Sequence, residues 1–185
     1  MKHTFRTVFT VILFSLFSTV ALVNTAAAKG TQEIDIKVDG TLEKFKSEVT
    51  GGAEFLKKAN AVLVFPDVIK GGFIVGGEYG KGALRHDGKT MGYYSIASAS
   101  LGLQAGAQQY TVVMVFMSEE ALVKFRDSKG WEAGVDGSVA IAKWGAGTDI
   151  NTQNFKDPIV GFVLDNKGLM VGISLEGSKI SKIDP

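Results

Sequence analysis

Residues 61–82 read AVLVFPDVIKGGFIVGGEYGKG. Ala61 to Phe65 is a continuous apolar run ended by Pro66-Asp67, the pattern of a buried strand followed by a turn. Phe73-Ile74-Val75 and Ala83-Leu84 are further strand segments. The intervening glycines invite a phosphate-binding reading, but their spacing fails. A P-loop needs Ser or Thr after its Gly-Lys, yet Gly82 follows Lys81, and the required earlier glycine would fall at Val75. A dinucleotide fingerprint must open a helix, and glycine at this density is a poor helix former. The stretch therefore reads as strand, turn and strand. Its glycines mark places where strands bend or where another backbone or a ligand comes close.

The same pattern continues toward the C-terminus. Tyr93 to Ile96, Thr111 to Phe116, Ile159 to Leu164 and Leu169 to Leu175 are strand candidates, separated by turn signals at Asp87-Gly88 and Asn166-Lys167-Gly168. Ser118-Glu119-Glu120 ahead of Ala121, Leu122 and Phe125 is a capped helix start, with its stop near Lys129-Gly130. Toward the N-terminus, Leu42, Phe45, Val49, Ala53 and Leu56 recur at steps of three and four, which predicts a helix over 41–60. Asp39 or Thr41 can cap it, and Gly51-Gly52 predicts a kink or two short helices. Residues 29–40 are polar with sparse alternation at Ile34, Ile36 and Val38, a short strand or a loose lead-in. The expected architecture is α+β: one domain with a curved, mostly antiparallel, glycine-rich sheet packed with a few helices.

The first 28 residues have another purpose. Lys2, His3 and Arg6 precede an apolar run from Val8 to Val23, and Thr25-Ala26-Ala27-Ala28 closes it. A basic start, a short apolar stretch and a small-residue end make a secretory signal cleaved after Ala28. A lipoprotein would need cysteine where Lys29 stands, and the arginines are not twinned. The expected product is periplasmic, begins at Lys29 and is not a lipoprotein. Losing Lys2 and Arg6 leaves 18 basic residues against 19 acids, so the net charge passes from +1 to −1. All 23 glycines lie beyond residue 28, roughly twice the average usage for that length.

Composition narrows the chemistry. With no cysteine there are no disulfides, thiolate metal sites or thiol catalysis. A near-zero charge argues against nucleic acid as a partner. Once the signal is removed, His86 is the only imidazole, in Arg85-His86-Asp87-Gly88, and reads as a turn residue rather than an acid/base group or metal ligand. The carboxylates, including Asp127, Asp136, Asp149, Asp157 and Asp165, do not form a calcium-loop spacing. Nothing selects a glycosidase-like pair among them. The sequence thus predicts no enzyme and no cofactor. The basic residues say more. Lys44, Lys46, Lys57 and Lys58 lie on or beside the N-terminal helix, with Lys70, Lys81 and Arg85 near the glycine-rich turns. An amphipathic helix with lysines on its polar side can rest on an anionic lipid surface, or simply face solvent. Glu43, Glu48 and Glu54 dilute its field.

Four motifs in order resemble the SYLF domain family: Ala61 to Pro66; Gly71 to Gly77 with Gly80-Lys81-Gly82; Gly102 to Gln108; and Asn166 to Gly177, which reads NKGLMVGISLEG. They cover about 41–183. The resemblance implies a lipid-binding module without catalysis, phosphoinositide-type in eukaryotic relatives and linked to actin patches in yeast ones. Bacterial members are exported. It also makes Gly76, Gly77, Gly80 and Gly82 folding residues, with Phe65, Phe73 and Leu175 in the core. For this chain the expected ligand is anionic phospholipid, met through the basic helix and an apolar surface, with actin an implausible partner. The competing expectation is an envelope module that binds a protein partner through its glycine-rich sheet. A carboxylate hydrolase is a distant third.

Overall fold

A computed structural model describes residues 29–72, 75–101, 108–143, 157–165 and 174–184. Residues 1–28, Phe73-Ile74, the Gly102–Ala107 part of the third motif and most of the fourth lie outside them. The described residues form one eight-stranded sheet with three helices. The strands are β1 (Ala61–Gly72), β2 (Val75–His86), β3 (Lys89–Leu101), β4 (Gln108–Phe116), β5 (Trp131–Glu132), β6 (Ala140–Lys143), β7 (Ile159–Asp165) and β8 (Lys179–Ile183). Their order across the sheet is β5-β8-β3-β2-β1-β4-β7-β6. Every pairing is antiparallel except β6 with β7. The expected α+β class and mostly antiparallel sheet are borne out.

The helices explain the apolar runs. Helix α1 spans 29–48 and α2 spans Gly52–Lys57, both on one face of the sheet. There Val38, Phe45, Val49 and Phe55 pack on Val62, Val64, Val113, Val115 and Phe162. Phe162 meets the edges of Phe45 and Phe55 at ring-centroid distances of 4.9 and 5.6 Å. Helix α3 (Glu119–Asp127) covers the other face, where Leu122 and Phe125 join Leu63, Phe65, Met114, Phe116 and Trp131. A strand buried on both faces needs apolar residues at every position, not at alternate ones. Hence the unbroken runs at 61–65, 112–116 and 159–163.

Three expectations need correction. Residues 29–40 are neither strand nor lead-in but the first turns of α1. Ile34, Val38, Leu42 and Phe45 follow a helical step, while Ile36, the residue that imitated alternation, is exposed. Asp39 and Thr41 accordingly lie inside the helix and cap nothing; the Thr41 hydroxyl donates to the Lys37 carbonyl at 2.8 Å. Ala53 is exposed, and Phe55 takes the buried place assigned to it. Finally, Pro66-Asp67 does not end β1. The strand bulges there, shifting register against both β2 and β4, and continues to Gly72.

Other readings hold. The helix breaks before the Gly51-Gly52 pair and restarts at Gly52. Asp87 and Gly88, both at positive φ (48° and 74°), form the two-residue turn between β2 and β3. Ser118 caps α3 by accepting from the Ala121 N–H. Close approach is the reason for Gly82. A Cβ there would stand 1.9 Å from the Val64 carbonyl oxygen and 2.7 Å from the Phe65 ring, against the flank of the β1 bulge.

Candidate functional site

Helix α1 is fixed on the sheet by polar contacts at residues that the helical period turns toward β2 and β3. Arg85, on β2, is 9% exposed. Its guanidinium reaches Asp39 at 2.7 Å and Asp35 at 3.2 Å, and donates to Thr90. Asp35 also accepts from the hydroxyls of Thr90 at 2.9 Å and Tyr93 at 2.8 Å. Burial, and then the Asp35 carboxylate, hold the Tyr93 hydroxyl above its ordinary pKa. Farther along, Lys37 bridges Glu33 at 3.0 Å and Asp67 of the β1 bulge at 3.1 Å. The hydrogen bonds it donates to those carboxylates raise its pKa.

Two grooves flank α1. The first, about 490 Å³, runs between α1, α2 and the start of β1; Leu42, Leu56 and Val62 wall it, and Lys46, Lys57 and Arg85 line it. The second, about 500 Å³, opens where α1 begins, between Ile34, Pro66, Ile69, Tyr79 and Lys81. Each sets charged side chains of both signs beside apolar walls, with Asp39, Glu43 and Asp87 in the first and Glu33 and Asp67 in the second.

The seven basic residues singled out in the sequence separate into distinct environments. Lys46, Lys57 and Arg85 converge on the first groove, but each has an acidic partner: Lys46 with Glu43 at 2.7 Å, Lys57 with Glu54 at 3.0 Å, and Arg85 as above. Lys44 is on the exposed side of α1, 3.9 Å from Glu48. Lys58 is exposed at the end of α2. Lys81 is exposed beside the second groove.

Lys70 is on the opposite face. It is buried with Glu78, its cross-strand neighbour, at 2.7 Å, and the Tyr110 hydroxyl donates to the other Glu78 oxygen. Burial, followed by that carboxylate, pushes the Tyr110 pKa well up. Lys70 and Arg85 are thus buried in ion pairs that bind the fold together. His86 sits at the hairpin, as read, where its Nδ1–H donates to the Asn60 carbonyl.

Sequence reasoning missed Asp35 and Asp39 as the partners of Arg85, because the link spans about fifty positions and needs α1 to be a helix. It also missed the exposed pair Ile69 and Tyr79. Antiparallel pairing of β1 with β2 sets them side by side.

Residues 97–184 match the Ysc84 family, described as Las17-binding protein actin regulator. Residues 97–184, just under half of the chain, are a SYLF region of this family, in agreement with the motifs. No curated protein matches it. The matched part of the SYLF domain starts within β3 and includes β4, α3 and β5 to β8. Helices α1 and α2 and strands β1 and β2 precede it and complete the same sheet.

Proposed function

We propose that this SYLF protein is an exported, non-catalytic lipid-binding protein of the periplasm that contacts anionic phospholipid. One observation carries the reading: on both flanks of α1, lysines stand beside apolar groove walls, in a chain whose second half is a SYLF region. Such pairing suits a headgroup layer, where an apolar side chain can enter while an ammonium group meets phosphate. The basic start, apolar run and small-residue end of residues 1–28 support export, with Lys29 as the first residue afterward. A non-catalytic role is supported by how the converging carboxylates are used. Asp35, Asp39 and Glu78 are engaged by Arg85 and Lys70. The actin-regulator description belongs to the family; an exported chain would not meet a cytoskeleton.

Sedimentation with vesicles of phosphatidylglycerol or cardiolipin, at low and physiological salt, tests this reading. The protein should pellet with both lipids and less with phosphatidylcholine alone. No binding at either salt overturns the proposal. Retention of an envelope protein after complete delipidation, without vesicle binding, would favour the protein-partner alternative.

A further inference from the structure

Among the described residues, helix α1 covers only part of the sheet face on which it lies. Beyond its first turns, one row of directly paired residues crosses five strands: Gln109, Ile69, Tyr79, Ala97 and Lys179, on β4, β1, β2, β3 and β8. Directly opposed residues share a face, and all five are exposed. Ile69 is 57% and Tyr79 50% exposed, unusual values for a β-branched and an aromatic residue side by side in interior strands. In the next row, a Cβ built on Gly71 meets nothing within 4 Å, so the surface there is open.

The charges on this flank differ from those on the helices. Lys46 and Lys57 have acidic partners, and Lys37 occupies both Glu33 and Asp67. Lys81 and Lys179, which flank the Ile69–Tyr79 pair on the same face, make no ion pair among the described residues. Glu132 is in register with Lys179 at the sheet edge without reaching it. Asp67 lies opposite Lys81 in the β1–β2 register, but its carboxylate is held by Lys37 and Gln109. The bare area thus combines an insertable aliphatic side chain, an aromatic ring with a polar tip, small residues that keep it flat, and two ammonium groups that no carboxylate holds among the described residues. Two unheld ammonium groups beside insertable side chains are complemented by a layer of phosphates over an apolar interior.

We infer that this bare end of the sheet, with Ile69 and Tyr79 entering and Lys81 and Lys179 at the phosphates, is the surface that docks on an anionic bilayer. The inference rests on the lipid-binding reading above and moves the contact from the helix lysines to the sheet.

The test uses the protein as its host produces it, with vesicles of phosphatidylcholine containing phosphatidylglycerol. Ile69→Ser with Tyr79→Ser should lower vesicle partition about tenfold or more at both low and physiological salt, since two apolar insertions are lost. Lys57→Glu with Lys58→Glu should cost only about two- to threefold, and only at low salt, where screening is least. Circular dichroism checks that each variant is folded. Because the chain has no cysteine, Ile69→Cys carrying an environment-sensitive dye gives a second readout. Its emission should shift to the blue with vesicles, while the same dye at Val123→Cys on α3 should not respond. Undiminished binding by the folded Ile69/Tyr79 variant overturns the inference while leaving lipid binding intact. So does a dye response at position 123 in place of 69, or one at 69 that needs only more protein and no lipid, which would identify a second copy as the occupant. If the unaltered protein ignores both vesicle types, the lipid reading itself falls and the bilayer falls with it as the occupant.

Discussion

Strand β2 begins and ends in different surroundings. Toward His86 it runs beneath α1: Ala83 and Leu84 are buried, and Arg85 is held between two aspartates of the helix. Toward Val75 the same face carries Gly77, Tyr79 and Lys81 in the open, while the reverse face buries Glu78 against Lys70 and Tyr110. Both ends contain a cation, Arg85 at one and Lys81 at the other. What separates them is cover. Under the helix a basic residue becomes a structural contact, whereas on the bare end Lys81 makes no ion pair among the described residues. Residue type alone does not decide whether a lysine or arginine is functional; the carboxylates within reach of it do.

Substitutions along β2 and its neighbours should expose that contrast. The largest effect belongs to Gly82→Ala, where the new Cβ would overlap backbone. It should cost about 4 kcal/mol or prevent folding, measured by denaturant unfolding. Gly71→Ala at the bare end, with nothing near it, should change stability by less than about 0.5 kcal/mol. Next comes Arg85→Ala. It leaves Asp35 half-buried and deprives Asp39 and Thr90 of their donor, a loss of about 2 kcal/mol. Lys81→Ala, by contrast, should leave the unfolding midpoint nearly unmoved.

The buried reverse face predicts a pH effect. Burial and Glu78 hold the Tyr110 hydroxyl above the ordinary tyrosine value, so the folded chain retains a proton that the unfolded chain releases near pH 10. The stabilisation is complete below that pH and declines as the pH rises beyond it. Tyr93 and Tyr94, also raised mainly by burial, act in the same direction. Stability measured against pH should therefore fall on the alkaline side, and Tyr110→Phe should make the fall shallower. One effect is a gain. Gly40 is exposed in the interior of α1 with open space at its Cβ, and Gly40→Ala should raise stability by up to about 1 kcal/mol, read as a higher midpoint.

Much of the fold was legible because local chemistry and tertiary need agree. Runs such as Val112 to Phe116 announce strands buried on both faces, Asp87-Gly88 announces a hairpin, and Ser118 announces a helix start. The failures are places where two periods overlap or where pairing decides. Ile34, Ile36 and Val38 fit both alternation and a helix that also includes Leu42 and Phe45, and only the packing of α1 on Phe162 settles which. Pro66 ordinarily stops a strand, but a bulge accommodates it because Gly80 and Gly82 leave space on β2. At the candidate site, residue types were visible and their availability was not. Lys70 meets Glu78 only through the β1–β2 register, and Arg85 meets Asp39 only across the helix–sheet contact. Ile69 and Tyr79 fell between the strand segments read at 61–65, 73–75 and 83–84, and only the β1–β2 register sets them side by side.

The strand order carries one more consequence. The two outermost strands, β5 and β6, have two and four residues, and the long strands lie inside, with β3 closed by β8 near the end of the described chain. A ribosome delivers β1 to β4 long before Lys179 emerges, so the hydrogen-bonding groups along β3 wait for a late strand. A chain interrupted before that point would expose a long, sticky border to its neighbours, and truncations at this terminus should clump rather than merely loosen.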